Sequence, residues 1–168
     1  MGNKKENLRP KNIIISSIIG GILGGIAMVI VLMIGAMTLS LPPTGFPLVM
    51  GLALGASMSD AVAVGMIAHF VVSIVLGVIF GAIVSYVRPL ILTFSLKALG
   101  LGLAAGLIIY VVAFIPVAMT MFAPVMMHIM GPMAAAILPD VFIIAVIGHI
   151  LYGLILGISA FEIGIRLS

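Results

Sequence analysis

The sequence predicts an all-α membrane protein: a polytopic four-helix bundle made of two parallel two-helix repeats, with short interfacial or re-entrant helices in its outer connections. Three observations predict it. Charge is scarce: 7% of the 168 residues are charged and 64% are hydrophobic, whereas a soluble domain carries about 25% charged residues. Four apolar stretches are long enough to cross a bilayer. All seven basic residues fall on one side of those stretches.

The spans come first. A helix rises about 1.5 Å per residue and the hydrocarbon core is about 30 Å thick, so a span needs roughly 20 apolar residues. Residues 12–39, 60–87, 96–121 and 140–165 qualify. Pro42-Pro43 closes the first and Arg88-Pro89 the second, while Ser59-Asp60 and Pro139-Asp140 read as helix starts. Pro116 lies inside the third span, where it predicts a kink. The chain then divides into a basic tail (1–11), a first repeat (12–87), a loop (88–95) and a second repeat (96–168). The apolar run after the tail is too long for a signal-peptide core. Glu6 stands where a myristoylation signal needs Ser or Thr.

Orientation follows from the cations. Lys4, Lys5, Arg9 and Lys11 precede the first span, Arg88 and Lys97 lie between the second and third, and Arg166 ends the fourth. The positive-inside rule places both termini and the middle loop in the cytoplasm. The two outer connections contain no Lys or Arg and are themselves apolar over residues 45–55 and 125–138. Exposed loops are polar, so both connections predict short helices at or in the interface.

A shift of 80 residues superposes the chain on itself. Asp60 meets Asp140, His69 meets His149, Met50 meets Met130, Gly51 meets Gly131 and Gly77 meets Gly157. The Asp and His matches weigh most, because the chain has only four acids and three histidines. Each unit holds two spans, so both copies insert the same way up. Small residues four apart, which let helices approach in lipid, occur as Gly20/Gly24, Gly21/Gly25, Gly77/Gly81, Gly102/Gly106 and Gly153/Gly157. Helix packing is their expected role.

Few side chains can carry chemistry. His69 and His149 fall nine residues inside their predicted spans, about 13.5 Å deep, on a face shared with small residues. An ionisable residue within a span marks a candidate site; the plainer role is an imidazole bonded across helices to a carbonyl, Ser73 or Tyr152. Asp60 and Asp140 are expected to be N-caps. Glu162 and Arg166 have the spacing of a helical ion pair.

Methionine is unevenly placed. Of the 13 methionines, all but Met1 lie in residues 28–66 and 119–133, which the topology maps to the outer half. Met126, Met127, His128 and Met130 put an imidazole among thioethers, a donor set suited to Cu(I), with His69 and His149 as further ligands. Copper is the cofactor this pattern fits best; three separated histidines lack zinc spacing. The competing role for the methionines is adaptable filler on a soft docking surface. No nucleophile elbow, phosphate loop or HExxH is present, so no enzyme is expected. Nor is nucleic-acid binding, for want of a basic surface.

The segments Ile67-Ala68-His69-Phe70, Ala123-Pro124-Val125-Met126 and His149-Ile150-Leu151-Tyr152-Gly153-Leu154-Ile155-Leu156-Gly157 resemble a group of small prokaryotic four-helix membrane proteins. That group has His-Phe in the second span, His-x-x-Tyr-Gly-x-x-Leu-Gly in the fourth and no established activity. The resemblance implies the fold, the paired histidines and a prokaryotic plasma-membrane location. The chain departs from the group in having no tryptophan. The first functional expectation is a non-catalytic accessory subunit, contacting lipid and other membrane subunits. The alternatives are a Cu(I) relay or vestibule, serving for example a copper-dependent membrane oxidase or monooxygenase, and more weakly a small-solute or proton channel.

Overall fold

Residues 9–168 are described by the structure, a computed structural model. Lys4, Lys5 and the rest of the basic tail before Arg9 lie outside the described residues. Four long apolar helices and one short one make up the bundle: α1 (Pro10–Thr38), α2 (Gly45–Ala53), α3 (Ala61–Tyr86), α4 (Ser95–Met130) and α5 (Pro132–Arg166). The four long helices meet the length and hydropathy of membrane spans. Large apolar side chains such as Ile30, Ile34, Ile67, Val71, Ile108 and Val112 cover their outward faces, which suits lipid contact.

α1 and α5 form the central pair. α3 packs on the free side of α1, and α4 packs on α5. The order across the bundle is therefore α3, α1, α5, α4, and α4 is the least buried span. Glycine explains the order. Gly20 and Gly24 of α1 face α5, lying against Ser159, Leu156 and Tyr152. Gly21 and Gly25, one residue further round, face α3 at Ser73 and Gly77. The two interleaved glycine pairs thus give α1 two close neighbours at once.

The other crossings are as tight. A Cβ on Gly77 would stand 2.5 Å from the carbonyl oxygen of Ser17, and one on Gly21 would stand 2.5 Å from that of Ser73. One turn beyond Gly77, a Cβ on Gly81 would stand 2.8 Å from Ser17 Oγ and 3.0 Å from Ile14 Cα. The Gly77/Gly81 pair of α3 therefore closes on α1 through Ser17, not through a facing glycine pair alone. Between α4 and α5 the contact is backbone on backbone: Gly102 against the Gly153 carbonyl, Gly106 against that of His149, and Gly157 against that of Ala98. Close packing of this kind is what holds helices together where lipid is as apolar as the side chains.

The ends of the helices gather the polar contacts. Asn12 Nδ2 donates to the Leu167 carbonyl at 2.7 Å, and Ser95 Oγ donates to Glu162 Oε1 at 2.8 Å. The contact of Glu162 is therefore with α4, not the Arg166 pairing its spacing suggests. Arg9, Lys11, Arg88, Lys97 and Arg166 all lie in or beside the segments that meet at this end.

The opposite end departs from the sequence expectation in three ways. The connection after α1 is the expected short helix, α2, seated tightly on α3: Gly51 lies against the Ala61 backbone and Gly65 against the Pro47 carbonyl. The second such connection is no separate helix. α4 and α5 run on through residues 122–139 and turn only at Gly131, whose φ of 60° is costly for a residue with a Cβ. Pro132 then starts α5 where its missing N–H costs nothing. The alanines at 134–136 favour continued helix, so Pro139 and Asp140 end up inside α5, and Asp140 caps nothing. Asp60 does precede α3, but its carboxylate makes no cap bond and instead accepts from Ser57 Oγ at 2.6 Å.

Pro116 produces wider turns rather than a simple kink. π-helical stretches at Tyr110–Phe114 and Ala118–Phe122 flank it. Each stretch ends two residues before a proline, Pro116 or Pro124, and widening the coil there relieves the clash of the ring with the preceding turn. Thr120 Oγ1 donates to the Pro116 carbonyl at 2.7 Å.

The glycine crossings make a direct prediction. Gly153→Ala drives a methyl into the Gly102 backbone and should lower the stability of the solubilised chain by about 1–3 kcal/mol. Gly100→Ala adds a methyl that meets nothing within 4 Å and should leave the midpoint unchanged or raise it. Thermal unfolding of both variants in one detergent checks the contrast.

Candidate functional site

Between α3 and α4, over the faces of the central pair, the structure holds two cavities that share a wall. The inner one, nearer the basic end, has a volume of about 160 Å³. His69 of α3 and His149 of α5 both line it, with Ser73, Tyr152, Met28 and Met50. Each histidine is nearly fully buried, and each is tethered through one ring nitrogen. His69 Nε2 lies 3.1 Å from the Gly25 carbonyl of α1, and His149 Nδ1 lies 2.8 Å from the Ala145 carbonyl one turn earlier in its own helix. A carbonyl only accepts, so these nitrogens carry the N–H.

The other polar groups are also anchored to backbone. Tyr152 Oη donates to the Ser73 carbonyl at 2.8 Å, tying α5 to α3 across α1, and Ser73 Oγ donates to the His69 carbonyl at 2.8 Å. Neither side chain spends its hydrogen bond on an imidazole.

The outer cavity is larger, about 410 Å³. Every residue lining it is apolar, from Leu32 and Ala36 on α1 through Val49 on α2 to Met126 and Met130 on α4 and Val141 on α5. It lies where the interhelical glycines have given way to methionine, leucine and phenylalanine. None of the paired glycines, Gly77 and Gly81 included, lines either cavity; they act at the helix crossings.

Phe46, Phe114 and Phe122 line both cavities and form the wall between them. Their rings link the histidines. Phe46 stands edge-on to His69 at 6.0 Å between centroids and edge-on to Phe122 at 6.0 Å. Phe122 meets Phe114 at 6.4 Å, and Phe114 meets His149 at 5.0 Å. The first two pairs are edge-to-face and the last two tilted; edge-to-face rings at these spacings attract one another. Phe114 and Phe122 are the last residues of the two π-helical stretches, so the widened turns of α4 supply two of the three wall residues.

The candidate ligands named from the sequence do not form one group. Met126 and Met130, four residues apart, face the outer cavity. Met127 and His128 are exposed and line neither cavity. His69 and His149 belong to the inner cavity. Among the described residues no cluster of three or more His, Asp or Glu side chains is present. Met28 and Met50, which the sequence marks only as members of a methionine-rich half, are the ones beside the histidines. Phe46, Phe114 and Phe122 are wall residues that sequence reasoning misses. The spacing of Tyr110, Phe114 and Phe122 around Pro116 is the available signal for the two on α4; Phe46 reaches the wall only because α2 folds back.

Comparison with protein-family models, curated proteins and solved structures gives no match.

The Tyr152 bond joins helices on opposite sides of α1, and its worth is measurable. Tyr152→Phe keeps the ring and removes the donor to Ser73. Interhelical bonds in membranes average about 0.6 kcal/mol and reach about 1.7, so unfolding in detergent should become easier by about 0.5–1.5 kcal/mol. A Ser73→Ala change should cost less, because its hydroxyl bonds within its own helix.

Proposed function

We propose that this chain is a non-catalytic membrane protein that holds an apolar chain, of the acyl or isoprenoid class, in the outer half of the bilayer as an accessory component of a membrane complex. The observation that carries this reading is the outer cavity. Its lining offers no nitrogen- or oxygen-bearing side chain, so it suits a molecule that is held rather than converted. Its volume lies within the range of sites for drug-sized ligands. Met58, Met126, Met130 and Met133 contribute flexible thioether arms, which adapt to an irregular apolar shape. α4, the least buried span, is the side on which a partner has most room to dock.

Two features of the architecture belong to the same reading. One is the internal repeat. Its support is that corresponding positions make corresponding crossings: Gly77 on Ser17 and Gly157 on Ala98, Gly21 on Ser73 and Gly102 on Gly153. The register offset is 81 on the first helix of each pair and 80 on the second. The other is the cytoplasmic placement of both ends, supported by the gathering of the described basic residues at one end of the bundle.

The absence of native cysteine makes orientation simple to test. Ser168→Cys should react with an impermeant maleimide only from the cytoplasmic side, and Ser59→Cys only from outside. The reverse pattern overturns the topology.

The ligand reading is tested by filling the cavity. Ala36→Phe and Ala118→Phe place rings in it. Native mass spectrometry of the full chain released from nanodiscs should show a bound apolar adduct in the parent protein and at least a fivefold lower load in each variant. Equal loads in parent and variants would remove the binding site. Migration on native gels after mild solubilisation tests the accessory role, which fails if the chain always runs alone.

A further inference from the structure

The inner cavity carries a site distinct from the outer one. We infer that His69, His149, Met28 and Met50 bind a soft monovalent metal cation, Cu(I), in the chamber they share. The four donors come from four different elements. Met28 is on α1, Met50 on α2, His69 on α3 and His149 on α5, and all four line the same cavity of about 160 Å³. A methionine stripe on one helix is ordinary packing; donors converging from four elements are not explained by one helix's periodicity.

The histidines are set as metal ligands are. A ligating imidazole characteristically gives its other N–H to a carbonyl or carboxylate, which fixes tautomer and ring orientation. His69 does this through Nε2 to Gly25, and His149 through Nδ1 to Ala145. That leaves His69 Nδ1 and His149 Nε2 as bare lone pairs. Neither has a protein hydrogen-bond partner, and neither is sealed in the core: among the described residues, the buried side-chain atom without a partner is Ser17 Oγ. Each nitrogen therefore keeps some accessible surface, on a side chain that lines the chamber. Met28 lines the same chamber and packs over Gly148, its Cγ 3.1 Å from where a Cβ there would stand.

The donor set selects the ion. Two imidazoles and two thioethers are neutral, and no carboxylate or thiolate lines the chamber. The cost of burying an ion in a low-dielectric medium scales with the square of its charge, so an uncompensated divalent cation costs about four times as much as a monovalent one. Thioethers favour Cu(I), which accepts soft donors and low coordination, over Zn(II) or Mg(II). The faces and edges of Phe46, Phe114 and Phe122 add a cation-tolerant wall. The shared wall also gives a path: an ion arriving from the outer half meets the methionines of the outer cavity first and the histidine chamber behind the three rings.

The test uses the full chain in nanodiscs, purified without a polyhistidine tag, with Cu(I) added under anaerobic conditions and competed by a chromogenic Cu(I) chelator. The expected result is one Cu(I) per chain, with X-ray absorption showing both sulfur and nitrogen neighbours. Met28→Leu with Met50→Leu should weaken binding about tenfold or more and leave nitrogen scattering alone. His69→Gln and His149→Gln should each weaken it by about 10–100-fold, in line with the loss of a ligand or its support. A variant with Met127→Leu and His128→Gln, exposed residues that line neither cavity, should bind as the parent does. Ag(I) should compete with Cu(I), and Zn(II) should not. No binding by the parent overturns the site, as does loss of binding in the outer variant or a copper spectrum without sulfur. If a histidine variant fails to fold, the methionine pair and the absorption spectrum still decide. None of these readouts depends on the apolar ligand of the outer cavity.

Discussion

The structure depends on backbone touching backbone at glycine. In water, burial of apolar area would draw these helices together; in lipid that drive is absent, and close dispersion contact must replace it. At the α4–α5 crossing, Gly102, Gly106, Gly153 and Gly157 bring one main chain directly against the other. α1 does the same on two faces, with Gly20 and Gly24 toward α5 and Gly21 and Gly25 toward α3. These contacts fix which helices are neighbours. They also fix which are not: α3 and α4 are each committed to a different member of the central pair, and the space between them becomes the site.

That space is closed by features that would be defects in an ordinary bundle. Pro116 and Pro124 each follow a π-helical stretch of α4, and α2 folds back onto α3 through Gly51 and Gly65. The first brings Phe114 and Phe122 to the gap, and the second brings Phe46 and Met50. A straight α4 would present a different set of side chains, because each π turn shifts the register of every later turn of the helix. The partition between the two cavities is thus a consequence of strain relief before two prolines and of one short helix.

Much of the fold is legible in the sequence because its signals are local. Charge scarcity, apolar length and the one-sided cations each need only a window of residues to be read, and the four long helices follow from them. The junction of α4 and α5 misleads for a local reason as well: Pro139-Asp140 looks like a boundary, but Gly131-Pro132 is the stronger one, since glycine takes the positive φ and proline opens the next helix. The site is only half legible. His69 and His149 stand out as ionisable groups within spans. Their neighbours do not, because Met28, Met50 and Phe46 reach the chamber only through tertiary folding of α1 and α2. The copper pattern in the sequence also takes in Met127 and His128, which lie exposed while Met126 and Met130 line the outer cavity. Gly81 shows the same limit among the packing residues: its spacing from Gly77 is visible in the sequence, but its partner, Ser17, is not.

The two cavities make opposite demands, and the same glycine-to-methionine gradient meets both. A chamber that exposes lone pairs needs rigid walls, since an imidazole must hold its orientation; His69 and His149 obtain this from carbonyl tethers in the tightly packed part of the bundle. A chamber that takes an apolar chain needs yielding walls, and methionine supplies them. On the orientation we propose, with the basic end in the cytoplasm, the soft half faces outward and the rigid half lies behind it. The outer cavity, entirely apolar, then lies between the outer end and the three aromatic rings that bound the histidine chamber. A lining without nitrogen or oxygen offers a hydrated ion nothing in place of its water. The thioethers it does offer are donors of the class we propose for the chamber beneath it.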